Sequence, residues 1–166
     1  MRTTLQRLSL LIILFTGSLL GVAVPAQAVG GQVDGTAYFQ APSGGSCAVM
    51  ENYDSYPPLV MAGSLTGCWY TRIESSETTP GGVYLERGQE LFVGILEDGK
   101  PGTFTTTYRF EAKLALDGSE VRGRCQHPIV SGSGTGGFTG ATGRLDFKDI
   151  IEDPITYVYR GHISLG

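Results

Sequence analysis

Ser131–Asp149 reads SGSGTGGFTGATGRLDFKD, and the way this run is taken decides the fold. It contains G-x-G-x-x-G at Gly132, Gly134 and Gly137. A dinucleotide fingerprint needs a helix opening at its last glycine, so that amides and the helix dipole meet the pyrophosphate. Here Phe138-Thr139-Gly140-Ala141-Thr142-Gly143 follows, and Gly140 and Gly143 would break a helix in its first turns. No Lys-Ser/Thr pair completes a P-loop either. The run therefore predicts a tight β-turn and a glycine-punctuated return into a strand at Arg144–Lys148.

The pattern on both sides agrees. Strand-like runs occur at Gly35–Gln40, Leu59–Leu65, Cys68–Glu74, Val83–Arg87, Glu90–Leu96, Phe104–Leu116, Glu120–Val130, Arg144–Ile151 and Thr156–Leu165. Between them lie the polar stretch Ser75–Gly82, the turn Glu97–Gly102 and Asp117-Gly118, and nothing long enough for a crossover helix. No segment after residue 28 keeps apolar residues at helical spacing over three turns. The fold class is all-β and antiparallel. A last strand running to the chain end can pair with the first and remove both edges, which predicts a single closed β-barrel.

Alternation defines two faces. Phe104, Thr106, Tyr108, Phe110, Ala112, Leu114 and Leu116 share one, and Thr105, Thr107, Arg109, Glu111 and Lys113 the other. Tyr157, Tyr159, Gly161, Ile163 and Leu165 oppose Val158, Arg160, His162 and Ser164; Val121, Gly123, Cys125, His127 and Ile129 oppose Arg122, Arg124 and Gln126. A small barrel fills its interior with side chains, so the apolar face is the expected lumen. Trp69 and Tyr70 face opposite ways, so one alone is luminal.

Met1–Ala28 has the three parts of a secretory leader: Arg2 and Arg7, the apolar run Leu8–Val24, and Ala26-Gln27-Ala28 after Pro25 as a cleavage site. Gly17, Gly21 and Pro25 favour cleavage over a retained anchor. The expectation is a secreted or periplasmic protein with one domain over 29–166 and no stable membrane insertion after cleavage. Removing 28 of 166 residues leaves 138, and losing two arginines takes the net charge from −4 to −6. An acidic domain whose sequence holds no Lys/Arg cluster has no footprint for nucleic acid or anionic lipid.

Three cysteines, Cys47, Cys68 and Cys125, allow one bridge and one spare thiol. Cys68 and Cys125 lie in strand-like runs and Cys47 in the loop SGGSC, which favours Cys68–Cys125 as the pair, with the partner choice left to geometry.

The second half, about Phe104–Gly166, resembles the allene oxide cyclase and dirigent protein superfamily. The likeness rests on a Thr/Tyr-rich strand, a shorter one ending at Ile129-Val130, the glycine hairpin Gly134–Gly143 and the Tyr-rich closing strand Tyr157–Gly161. What it implies is an eight-stranded antiparallel barrel whose lumen holds a hydrophobic small molecule. Plant cyclases of this group isomerise a fatty-acid epoxide, and dirigent proteins steer phenoxy-radical coupling. The cyclase's catalytic segment E-x-N-E-R-D-R-x-S-P has its nearest counterpart in Glu51–Pro57, with the residue types but a different spacing, so the activity is not carried over.

Chemistry-bearing residues are densest in Arg122-Gly123-Arg124-Cys125-Gln126-His127-Pro128. Guanidinium, amide and imidazole groups can donate to a ligand carboxylate or carbonyl. Arg109, Arg124, Gln126, His127 and Glu90 form the candidate ligand-binding set. The bland alternative pairs Arg122 and Arg124 with glutamates in solvent and leaves His127 alone inside. Acidic side chains such as Glu90, Glu97, Asp98 and Glu111 usually face water. Cys125-x-His127 lacks the further convergent ligands a metal needs, and no nucleophile elbow accompanies either histidine. No metal or cofactor is expected. The leading functional expectation is non-catalytic binding of a small, largely apolar ligand or an extracellular partner. The rivals are a luminal cyclase or isomerase and a structural module with a filled barrel.

Overall fold

The computed structural model describes residues 29–41 and 44–166. The leader read at 1–28 lies outside the described residues. The elements are β1 (Val29–Phe39), β2 (Leu59–Gly63), β3 (Leu65–Thr78), β4 (Val83–Leu96), β5 (Gly102–Leu114), β6 (Glu120–Pro128), β7 (Thr135–Gly136), β8 (Thr142–Ile150) and β9 (Thr156–Leu165), with no helix among the described residues. Every strand except the two-residue β7 pairs antiparallel with the next one round a ring, β4-β3-β2-β1-β9-β8-β6-β5, and β4–β5 pairing closes it. The result is an eight-stranded up-and-down barrel with β7 as an extra short strand on β5. Closure at the chain ends takes the predicted form: β1 and β9 pair from Val29↔Leu165 to Tyr38↔Thr156.

Several strand boundaries differ from the sequence reading: β1 starts at Val29, six residues before Gly35, and Leu65 opens β3 instead of closing the strand that starts at Leu59. The polar stretch after Glu74 does not end β3, which continues to Thr78 beyond the end of β2, its ladder with β4 running from Ser75↔Arg87 to Thr78↔Tyr84. Val83–Arg87 and Glu90–Leu96 are one strand, β4. The inward positions there are Glu86, Gly88 and Glu90, which hide the apolar alternation. Gly88 is required by close approach: a Cβ would lie 2.0 Å from the Arg72 carbonyl oxygen and 2.6 Å from the Tyr108 ring.

The inward face is the apolar one. Leu65, Phe92, Phe104, Phe138, Leu145 and Ile163 are fully buried at one end of the barrel. Phe138 comes from the glycine-rich hairpin, where Gly136 and Gly140 sit at φ +55° and +73°, the left-handed region that glycine enters freely. These turns fold the Phe138 ring against Phe104 and Phe92, at centroid distances of 5.0 and 5.5 Å. The run is a plug for the barrel end. Burying each such ring contributes about 2–3 kcal/mol. Trp69 lies above this layer, 5.9 Å from Phe104 and 5.2 Å from Phe147, and forms the floor of the opposite half.

The disulfide joins Cys47 to Cys68, not Cys68 to Cys125. The reason is strand alternation. With Trp69 inward, Cys68 projects from the outer face of β3, while Cys125 projects into the lumen from β6 and is a free, buried thiol. Cys47 reaches Cys68 because the loop between β1 and β2 folds back on the outside of β3. Gln40 holds that turn, accepting from the Cys47 amide at 2.7 Å and donating to its carbonyl at 3.0 Å. Tyr70, on the same outer face as Cys68, is buried to 4% exposure. The end of the loop then takes the place β2 vacates: Asp54 bridges Thr71, and the Ser55 hydroxyl accepts from the Ile73 amide at 3.0 Å.

Candidate luminal site

Opposite the Phe138 plug the lumen is open, as a cavity of about 290 Å³. The barrel is neither hollow throughout nor filled throughout. Trp69, Tyr108, Phe147 and His127 form its inner wall; Phe39, Tyr56, Phe110 and Tyr157 stand nearer the mouth. The disulfide-tied loop contributes Tyr56 and Pro57. Polar groups are few and concentrated, as in ligand pockets generally.

Period-two alternation on β4 puts Glu86 and Glu90 inside, at 3% and 5% exposure. Glu86 accepts hydrogen bonds from three phenols: Tyr84 at 2.5 Å, Tyr108 at 2.7 Å and Tyr56 at 2.8 Å. Burial, and then the Glu86 charge and hydrogen bond, push all three phenols upward, so each stays protonated and donating. Glu90 accepts from Thr106 at 3.1 Å and Thr71 at 3.4 Å, and contacts His127 Nδ1 closely. This fixes the imidazole plane, which Tyr108 stacks on and Phe147 abuts at 4.6 Å between centroids. The bond to Glu90 occupies Nδ1 and leaves Nε2 buried with no partner in the protein; Trp69 Nε1 is in the same condition.

Nearer the mouth, β6 and β8 bring two carboxyls together. Asp149 is on the β8 wall, and Glu120 opens β6 where the register shifts opposite Leu114. Both carboxyls lie over Gly123, where a Cβ would fall 2.3 Å from Glu120 Oε1 and 2.6 Å from Asp149 Oδ2. Burial, then hydrogen bonding to and repulsion by Asp149, push Glu120 up to about 8. Burial also raises Asp149. The pair holds a shared proton around neutral pH. Glu120 Oε1 is buried with no hydrogen-bond partner. Burial first, and the surrounding carboxylates second, hold the Cys125 thiol well above its usual range, so it is a packing group and not a nucleophile.

Of the five ligand residues read from the sequence, Glu90 and His127 meet in the lumen. Arg109, Arg124 and Gln126 do not join them; all three are exposed on the outer face. They line a separate shallow outer groove of about 170 Å³ with Arg87 and Glu111. Arg124 pairs with Glu111 at 3.1 Å, with side chains 74% and 50% exposed, which is the solvent-facing cross-strand pair of the bland reading. Glu90 departs from the expectation that acidic groups face water. Glu86, Glu120, Asp149 and Tyr108 were not singled out, although once Phe92 is set inward the alternation Glu86, Gly88, Glu90 follows. Among the described residues no three His, Cys, Asp or Glu side chains are grouped to hold a metal.

Chemically, the site can bind an apolar body between aromatic walls, satisfy a polar group at Trp69 and His127, and exchange a proton at the Glu120–Asp149 pair. Comparison with known protein families, characterised proteins and solved structures finds no match for this chain.

Proposed function

We propose that this protein is an exported barrel that binds a small, largely apolar molecule in the open half of its lumen. One observation carries the reading: Trp69 and His127, which line a cavity of about 290 Å³ with largely aromatic walls, each carry a buried nitrogen without a partner, Nε1 and Nε2. Leaving a buried donor or acceptor unpaired costs about 1–3 kcal/mol, so a partner from the ligand is favoured. A ligand hydroxyl suits both atoms, accepting from the indole N–H and donating to an imidazole nitrogen. Export is supported by the leader and by the Cys47–Cys68 bond, which persists in oxidising compartments. No helix of the described residues is long and apolar enough to cross a membrane. The outward faces of β5 and β6 carry Arg109, Glu111, Lys113 and Arg124 with the apolar residues inside, the reverse of a lipid-facing barrel. Membership of the allene oxide cyclase and dirigent superfamily is part of this proposal, resting on the glycine hairpin and the Tyr-rich closing strand.

Trp69 is the sole tryptophan of the chain, so its fluorescence reports on the lumen directly. Octanol should change that emission saturably, and His127→Leu should weaken the binding by about tenfold, the loss of one hydrogen bond at a buried site. Absence of a saturable response, together with no copurifying mass in native mass spectrometry, overturns the proposal.

A second reading has a specific observation in its favour. Glu90 orients His127 through Nδ1 and leaves Nε2 free, the arrangement of a general acid or base. In a luminal isomerase, His127→Gln would retain ligand affinity and abolish turnover; in a binder it would alter affinity alone.

A further inference from the structure

We propose that the ligand of this lumen is an elongated organic cation, with a hydroxyl-like group at Trp69 and His127 and an ammonium at the Glu120–Asp149 pair. This rests on the luminal-binding reading and names the ligand class. Four carboxyl groups line the cavity, Glu86, Glu90, Glu120 and Asp149, and no lysine or arginine does so among the described residues. Glu86 and Glu90 are committed, one to three phenols and the other to two threonines and His127. Glu120 and Asp149 carry no such commitments: they lie against each other over Gly123, and Glu120 Oε1 is buried with no hydrogen-bond partner.

An independent observation marks the same cavity as a ligand site: His127, 3% exposed, lines it with Nε2 unpartnered. A carboxylate ligand would enter beside four acidic groups, whereas an ammonium replaces the shared proton and separates the two carboxyls favourably. Phe110 and Tyr157 line the same cavity and add aromatic surface, which attracts a cation. The wall register sets the ligand's length. His127 faces Leu145, Cys125 faces Phe147, and Gly123 lies at the level of Asp149. Four residues of strand, from His127 to Gly123, span about 13 Å, the reach of a chain of about eight carbons with a polar group at each end.

The groups facing the pair are Tyr157 from β9, Cys125 and His127 from β6, and Glu86 and Glu90 across the lumen from β4. Acid therefore weakens cation binding by filling the two carboxyls.

The test compares octanol, omega-aminooctanol and omega-hydroxyoctanoate through Trp69 fluorescence at neutral pH. The aminoalcohol should bind about tenfold more tightly than octanol, and hydroxyoctanoate at least about tenfold more weakly than octanol. Calorimetry in two buffers of different ionisation enthalpy should register proton release with the aminoalcohol and none with octanol. The double variant Glu120→Gln/Asp149→Asn should remove both the affinity advantage and the proton release, so that the aminoalcohol binds no more tightly than octanol to the same variant. Octanol binding with no preference for the cation, or with the acid preferred, overturns the cation assignment and leaves luminal binding standing. Failure of all three probes overturns both.

Discussion

Removing the Cys47–Cys68 bridge tests the architecture and the site together. In the variant Cys47→Ser/Cys68→Ser the unfolded chain regains the freedom of a loop closed over a sequence separation of 21 residues. Chain-entropy scaling for that separation gives about 3 kcal/mol at 25 °C. Against a whole-domain stability of about 5–15 kcal/mol that is a large fraction. A domain of this size loses about 3–5 °C of Tm per kcal/mol, so thermal unfolding followed by circular dichroism should fall by about 10–15 °C. The comparison variant is Cys125→Ala, which removes one small buried side chain and should cost about 1 kcal/mol. The bridge also tethers the loop carrying Tyr56 and Pro57 to the cavity mouth, so octanol affinity should fall at temperatures well below unfolding. A Tm loss below about 3 °C would refute the entropic reasoning. Recovery of Cys125 in a disulfide-linked peptide from a non-reducing digest would refute the geometry.

Phe138→Ala should destabilise by about 3–5 kcal/mol, because the ring plugging the barrel end has no neighbour able to replace it; Leu116→Ala, fully exposed, should change Tm by less than about 2 °C in the same assay. Tyr108→Phe takes one of three donors from Glu86 and should cost about 1 kcal/mol in urea denaturation, whereas Glu86→Ala should cost about 3 kcal/mol because the fully buried Tyr108 hydroxyl loses its acceptor. Folding raises the Glu120 carboxyl from 4.5 to about 8, so the native state holds a proton that the unfolded chain releases first. The associated stability is complete below the unfolded value and disappears as pH rises through the folded one. Tm should therefore decline between about pH 5 and pH 8, and Glu120→Gln should flatten the decline. Gly123→Ala should separate the two carboxyls, remove the Asp149 part of the Glu120 shift while leaving the larger part due to burial, and so make the same pH dependence shallower.

The fold was legible because turn chemistry and alternation act over a few residues. Gly136 and Gly140 mark the hairpin by backbone freedom alone, and Thr156–Leu165 shows its inward face as Tyr157, Tyr159 and Ile163. The barrel's filled half follows from the same pattern, although Phe138 reads locally as a turn residue and becomes a plug only when the hairpin folds over the barrel end. The cavity was harder to read because its inward residues break the apolar rule. Glu86, Glu90 and Asp149 look like surface positions until the ring closes and brings phenols, threonines and a second carboxyl to them. Arg109 and Arg124 lie beside His127 in sequence or sheet, yet strand parity places them on the other side of the wall. The cysteine pairing turned on the same parity: Cys68 is one residue from Trp69 and so points away from the lumen that Cys125 enters.

Phe138 and its ring partners at one end, and the charged aromatic chamber at the other, give a single sheet two regions with different tolerance to change. Substitutions around Tyr56, Phe110, Glu120 and Tyr157 alter what the mouth accepts without disturbing the packed layer beneath Trp69. Such a chain can diverge in ligand preference one residue at a time, each step starting from a molecule that still folds. For the same reason, libraries confined to these mouth positions are the natural route to barrels with new specificities.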